Sequence, residues 1–134
     1  MRTECIQRVR GRLIVFEEKR SKLTIVNNKG ITATRVKVDG CEIQEGIRCD
    51  YLLIAENIEH FIELKGQDIE HAIKQIQRTI RLLSNDAKGS SKVSFVVCTR
   101  SPMTSATIQN FRVNFLREFN SQLHVKGPAF EYHL

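Results

Sequence analysis

The sequence predicts an α/β (α+β) fold in which helices flank a central mixed β-sheet. Strand-like apolar runs separated by turn residues follow one another from residue 31 to residue 65. An amphipathic segment comes next, and then a second pair of a strand and a helix. The order after residue 31 is therefore strand, strand, strand, helix, strand, helix and a final strand, which is typical of a sheet covered by helices.

The bulk composition indicates one domain over residues 1–134, in which residues 1–30 are the least defined element. A chain of 134 residues with 41% hydrophobic and 27% charged residues can bury a hydrophobic core without disulfides or a structural metal. No window approaches the roughly 18 apolar residues of a membrane span, and the start lacks the pattern of a signal peptide. We expect a cytoplasmic protein with no membrane partner.

Charge and cysteine usage narrow the classes of function further. The net charge of +6 is spread along the chain and favours a polyanionic partner such as nucleic acid. The cysteines contain no CxxC pair, so we expect neither a zinc site nor a disulfide framework, and we expect buried, reduced thiols. The cysteines are Cys5, Cys41, Cys49 and Cys98.

The first half of the chain contains the predicted strands. "RLIVFEE" and "KLTIVNN" are strand-like, and "ITATRVKVDGCEI" alternates as a half-buried strand does, with "QEG" as a hairpin turn after it. The next run, "IRCDYLLIA", has apolar residues on both faces, which indicates a central strand. "ENIE" then turns the chain, and "HFIELK" runs back beside that strand.

The second half contains the predicted helices. "QDIEHAIKQIQRTIRLLS" has its apolar residues at intervals of three and four, with Gln67 or Asp68 at the helix start. "VSFVVC" is a short buried strand. "SPMTSATIQNFRVNFLREF" is a second helix with Pro102 near its start, and "LHVKG" is a last edge strand. The residues predicted to face inward from the second helix are Ile108, Phe111, Phe115 and Phe119.

Three charges at the ends of the two central strands are predicted to meet. A turn centred on Asn57 and Ile58 places Asp50 opposite Lys65, with Glu63 diagonal to Asp50 at roughly 7–8 Å between backbones. All three then lie on one side of the sheet, because opposed residues and residues two apart share a face. A register shifted by one residue would separate them.

Two carboxylates at this spacing suit a hard divalent ion. Mg²⁺ takes one or two carboxylates and keeps several waters, which leaves room for phosphate oxygens, and Mn²⁺ suits the same oxygen-rich site. Lys65 could orient or help deprotonate a water and stabilise charge on the phosphate. The alternative is an ion pair between Asp50 and Lys65 with an additional glutamate, which contributes little to stability.

Asp50, then Glu63-Leu64-Lys65, then a helix, in that order, resembles the PD-(D/E)xK phosphodiesterase superfamily. This superfamily includes restriction endonucleases, Holliday-junction resolvases and recombination exonucleases. The resemblance implies a restriction-endonuclease-like core, with Asp50, Glu63 and the Leu64 carbonyl as metal ligands and Lys65 as the catalytic lysine. The implied cofactor is Mg²⁺, with Mn²⁺ as the alternative. Small resolvase-like or exonuclease-like members are the most similar.

The helix adds a second match and one departure. Several exonuclease-like members carry Gln-Leu and, three residues later, Tyr. Here Gln75 and Ile76 match, and Thr79 stands in the place of the tyrosine. Gln75 could orient the scissile phosphate or a bound water, or it could be a solvated helix position on one polar face with His71 and Thr79.

Other departures leave part of the family's site open. Cys49 replaces the proline that often precedes the aspartate. We expect His60 at an exposed strand end close to the site in sequence. An acidic residue that often completes the family site has several candidates between which the sequence does not choose: Glu17, Glu18, Asp39 and Glu42.

The leading hypothesis is a metal-dependent nuclease that hydrolyses phosphodiester bonds in DNA, including branched or foreign DNA. With little chain beyond the predicted core, it would act as a homodimer or with a partner subunit. The alternative is a catalytically silent nuclease-fold module that binds nucleic acid or scaffolds a partner protein. An RNA-cutting enzyme shares the same residues, although an aromatic content of 7% does not favour recognition of RNA bases by stacking.

Overall fold

A computed structural model describes residues 1–64, 68–100 and 105–134 of the chain. These residues contain two α-helices, nine strands and a short 3-10 turn at Thr3–Cys5. The strands are β1 (Ile6–Val9), β2 (Leu13–Glu18), β3 (Ser21–Val26), β4 (Ala33–Lys37), β5 (Tyr51–Ala55), β6 (Ile58–Leu64), β7 (Lys92–Val97), β8 (Ser121–Lys126) and β9 (Ala129–His133). The helices are α1 (Ile69–Leu83) and α2 (Ala106–Phe119).

The strands form a six-stranded mixed sheet in the order β1-β4-β5-β6-β7-β8 and a three-stranded sheet in the order β2-β3-β9. In the large sheet β4, β5 and β6 run antiparallel, whereas β6, β7 and β8 run parallel. Parallel neighbours need crossover connections, and α1 and α2 supply them. The predicted α/β class is confirmed, and so is the predicted order of elements from β4 to β8, although a further strand, β9, follows.

The large sheet lies between two layers. Leu52 and Phe61 pack with the helices in one core, while Leu53 and Ile62 pack with the three-stranded sheet in another. All four side chains are inaccessible to solvent. The prediction that the run "IRCDYLLIA" contains a central strand covered on both faces is confirmed, since β5 lies between β4 and β6.

The turn between β5 and β6 differs from the predicted one. Glu56 and Asn57 form it, both with left-handed backbone (φ 51° and 66°), and Tyr51 therefore pairs with Ile62. Such tight turns match the twist of the strands. The predicted register is wrong by two residues. A shift of two preserves which face each side chain occupies, whereas a shift of one would not.

The segment before β5 is also different from the predicted hairpin. β4 ends at Lys37, and residues 38–50 form an irregular loop with one short bridge between Asp39 and Ile43. Gly40 and Gly46 have φ values of 74° and 79° there. Left-handed backbone at these glycines turns the chain where the sequence alternation suggested a continuing strand.

The expectation that all cysteines are reduced is wrong for one pair. Cys5 and Cys41 form a disulfide with a Cα–Cα distance of 5.7 Å. The pairing of β1 with β4 brings together the two segments that carry these cysteines, and no local spacing indicates it. Cys49 and Cys98 are free, buried thiols, as predicted.

Two strands were not predicted at all. β1 is a four-residue edge strand, and β9 pairs in parallel with β3, far away in sequence. The run "LHVKG" does lie in an edge strand, β8, but that strand is not the last one. Pro102 lies outside the described residues. No helix of the described residues is long and apolar enough to cross a membrane.

Candidate active site

Asp50 and Glu63 face each other at one end of the large sheet. Asp50 directly precedes β5, and its N–H donates to the Ile62 carbonyl at 3.0 Å. Because Tyr51 pairs with Ile62, this bond departs by one residue from the β5–β6 register and holds Asp50 beside the end of β6 that carries Glu63. The side chains of Asp50 and Glu63 are in hydrogen-bonding contact with each other. Both residues are buried, at 8% and 7% exposure. They share the helix-facing side of the sheet with Leu52 and Phe61.

The two carboxylates differ in their hydrogen bonds. The Leu64 N–H donates to Asp50 Oδ2 at 2.7 Å. Glu63 Oε1 is buried and has no hydrogen-bond partner within the described residues. Native structures leave few buried polar atoms without partners, so such an atom calls for a functional explanation.

The electrostatics of the pair are unfavourable for two negative charges. Burial, with repulsion from Asp50, raises the pKa of Glu63 to about 9. Burial also raises the pKa of Asp50 to about 6, and the hydrogen bond from Leu64 opposes the rise. Glu63 is accordingly protonated at neutral pH in the protein alone. A bound divalent cation would reverse this, because its charge favours both carboxylates in the ionised form.

Two of the four candidate additional acids lie near the pair. Glu18, at the end of β2, and Asp39 both raise the pKa values of Asp50 and Glu63 by charge repulsion. Asp39 also accepts a 2.8 Å ion-paired hydrogen bond from Arg48 Nε.

The other two candidates point elsewhere. Glu17 is exposed, and it lies on the opposite face of β2 from Glu18 because neighbouring residues of a strand alternate. Glu42 accepts a hydrogen bond from the Arg2 backbone N–H at 2.9 Å. The structure thus selects Glu18 and Asp39 as the acids that influence the pair.

The donor set suits a magnesium ion better than a metal that needs many protein ligands. In the described part of the chain no three His, Cys, Asp or Glu side chains are arranged to hold a metal ion. Mg²⁺ commonly uses only one or two carboxylates and fills its shell with waters and substrate oxygens. Asp50 and Glu63, with the unpartnered Glu63 Oε1 and the neighbouring Leu64 carbonyl, meet that smaller requirement.

Helix α1 fixes the backbone that leads into Asp50. Gln75 Nε2 donates to the Arg48 carbonyl at 3.0 Å. Thr79 Oγ1 accepts from the Cys49 N–H at 2.9 Å and donates to the Gln75 carbonyl at 2.8 Å. Gln75 is therefore not a solvated helix position. The buried Thr79 does not belong to an exposed polar face, and sequence periodicity alone did not indicate its contact with Cys49.

The two histidines near the site in sequence lie outside it. His60 was expected at an exposed strand end, and this is wrong: it is 2% exposed, with Nδ1 3.0 Å from the Leu53 carbonyl. It points to the opposite face from Glu63 and stacks on Phe95. Burial lowers its pKa. His71 is exposed, and its backbone N–H donates to Oδ1 of Asp68, the N-cap residue of α1, at 3.1 Å.

Lys65, the predicted catalytic lysine, lies outside the described residues and directly follows the last residue of β6. The ion pair between Arg48 and Asp39 was not predicted, because the irregular loop that joins these residues has no regular period.

No protein-family model matches the chain, and no curated protein or solved structure is significantly similar to it.

Proposed function

We propose that the protein is a metal-dependent nuclease that hydrolyses phosphodiester bonds in DNA. The observation that carries the proposal is the buried pair of Asp50 and Glu63, whose side chains are in contact and which includes an unpartnered glutamate oxygen. The order of β4, β5, β6, α1 and β7 is the order expected of a restriction-endonuclease-like core. The Glu63-Leu64-Lys65 segment stands where that family places Glu-x-Lys.

In this proposal Asp50, Glu63 and the Leu64 carbonyl hold Mg²⁺ or Mn²⁺. The ion, when bound, supplies Lewis acidity toward the scissile phosphate and makes water a better nucleophile. Lys65 orients the attacking water and stabilises negative charge on the phosphate. Gln75 is a positioning residue that acts through the backbone before Asp50.

Burial of the two acids also supports a catalytic function over a silent scaffold. Two buried acids in contact with each other destabilise the fold whenever both are ionised, although the Leu64 N–H and the hydrogen bond between the two side chains satisfy part of the pair. A net charge of +6 fits a polyanionic substrate. A homodimer or a partner subunit would let two such sites address two DNA strands.

The test is cleavage of supercoiled, linear, single-stranded and four-way-junction DNA, and of RNA, with Mg²⁺, with Mn²⁺ and with chelator. The variants are Glu63→Gln and Lys65→Ala, and Glu17→Gln is the matched control because Glu17 is an exposed acid outside the pair. We expect metal-dependent DNA cleavage that both variants abolish and the control retains.

Three outcomes would overturn the proposal. If cleavage persisted in chelator or in the Glu63→Gln variant, the reaction would not depend on a metal ion held by Asp50 and Glu63. Preferential cutting of RNA would change the substrate. Binding of DNA that is unchanged in the variants, with no cutting of any substrate, would favour the scaffold function.

A further inference from the structure

The turn between β2 and β3 places two cations directly after Glu18. Glu18 pairs with Ser21, so Lys19 and Arg20 form a two-residue hairpin tip. Both side chains are exposed, and neither forms an ion pair or a hydrogen bond with any residue in the ranges 1–64, 68–100 and 105–134. Their charges are therefore available to a ligand.

The tip lies at the same end of the large sheet as the site. Glu18 directly precedes Lys19, and its charge raises the pKa values of both Asp50 and Glu63. The Phe16 ring, two residues before Glu18, lies 5.2 Å from the ring of Tyr51, which directly follows Asp50, so β2 runs toward the end of the sheet at which Asp50 lies. A nucleic acid that brought a phosphate to the pair would pass next to the tip.

Arg35 of β4 joins this hairpin to the strand that follows Asp50. Its guanidinium lies 4.2 Å from the centre of the Phe16 ring and 5.0 Å from that of Tyr51. It also donates from Nη1 to the Val15 carbonyl at 2.8 Å. Phe16 and Val15 belong to β2, and Tyr51 is the residue after Asp50. The strand that leads into the tip is therefore packed against the strand that follows Asp50.

The charge around the tip is positive on balance. Glu17 lies opposite Lys22 across the hairpin, so these two charges offset each other. Lys37, at the end of β4, is exposed and on the same face as Arg35. Lys19 and Arg20 thus add positive charge at the end of the sheet that carries the acidic pair, an arrangement suited to phosphates that flank the one at the metal.

We propose that Lys19 and Arg20 bind backbone phosphates of the DNA that the acidic pair cuts, and that the β2–β3 hairpin sets how the duplex approaches the site. This inference rests on the proposed nuclease function. Contacts to phosphates position DNA without reading its sequence, so the hairpin would contribute affinity common to all sequences.

The experiment compares Lys19→Ala/Arg20→Ala with Arg10→Ala/Arg12→Ala. Arg10 and Arg12 are also exposed, but they precede the start of β2, whereas Lys19 and Arg20 follow its end. The strand between these two ends is about 17 Å long at the usual rise per strand residue. Binding of a fluorescent DNA duplex in chelator, followed by anisotropy over a range of salt concentrations, gives affinity and salt slope without cleavage. Melting temperatures of both variants confirm that they fold.

We expect the tip variant to bind roughly ten-fold more weakly, with a salt slope reduced by about 1–2, as the loss of one or two phosphate contacts predicts. The control variant should bind like the wild type. Equal losses in both variants, or none in the tip variant, would overturn the inference, as would RNA that outcompetes the duplex.

A cleavage assay of the wild type distinguishes failure of the proposed hairpin contact from failure of the proposed nuclease activity. Cutting with an unaffected tip variant would refute the hairpin contact alone. Weakened binding in the tip variant without cutting by the wild type would support the contact and refute the nuclease. Absence of DNA binding by the wild type would overturn both.

Discussion

The Leu64 backbone N–H donates to Asp50 Oδ2 over 2.7 Å and so joins the end of β6 to the carboxylate that precedes β5. Hydrogen bonds to an ionised carboxylate favour the charged form. Asp50 therefore ionises before Glu63, whose Oε1 has no such donor among the described residues. The two acids differ in protonation although they are equally buried, and the first predictions follow from this difference.

Glu63→Gln should stabilise the protein in the absence of metal. Because burial raises the pKa of Glu63 from 4.5 to about 9 in the fold, the native state favours the protonated form. This favourable contribution is complete below about pH 4.5 and declines until the pH reaches about 9. The glutamine side chain of the variant cannot ionise, so we expect a gain of roughly 1–3 kcal/mol in unfolding free energy at pH 9.

Urea unfolding in chelator at pH 4.5, 7 and 9 measures this effect. The difference between variant and wild type should grow with pH across that range. If the variant were less stable than the wild type by the same amount at every pH, the ionisation of Glu63 would not be what lowers the stability of the wild type.

Thr79→Val should destabilise the fold more than Thr79→Ser. The Thr79 hydroxyl is the acceptor for the buried Cys49 N–H, and valine keeps the shape but removes the oxygen. An unsatisfied buried donor costs about 1–3 kcal/mol, whereas serine retains the hydrogen bond. Denaturant unfolding of both variants gives the difference, and a valine variant as stable as the serine variant would show that the contact is unimportant.

Reduction of the disulfide should lower stability while the two buried thiols stay inaccessible. Cys5 and Cys41 are 36 residues apart in sequence. A disulfide that closes a loop of this length stabilises the native state by about 3–4 kcal/mol, because it lowers the conformational entropy of the unfolded chain. Thermal unfolding of Cys5→Ser/Cys41→Ser beside the wild type tests it. Thiol titration of the oxidised native wild type should detect neither Cys49 nor Cys98 until it unfolds.

The elements with a strong period were predictable from the sequence, and so was the meeting of the two acids. The apolar stripe of α1 and the capping residue Asp68 both matched the structure. Asp50 and Glu63 share a face because that relation depends only on parity, which the two-residue error in register preserved.

What depends on distant parts of the chain was not predictable. The positive φ values at Glu56 and Asn57 set the register, and two adjacent left-handed residues have no strong signal in "ENIE". His60 is buried because Phe95 of β7 and Tyr132 of β9 cover it, and the pairing of β9 is non-local. The contact of Thr79 with Cys49 arises in the same way from tertiary packing.

The central claim is that Asp50 and Glu63 form a divalent-metal site, and Mn²⁺ binding tests it most directly. Titration calorimetry of the wild type beside Asp50→Asn and Glu63→Gln at pH 6, 7 and 8 gives stoichiometry and affinity. We predict one ion per chain, an affinity that rises with pH as Glu63 loses its proton, and loss of binding in both variants. Absence of binding by the wild type at pH 8, or equal binding by the variants, would contradict the account.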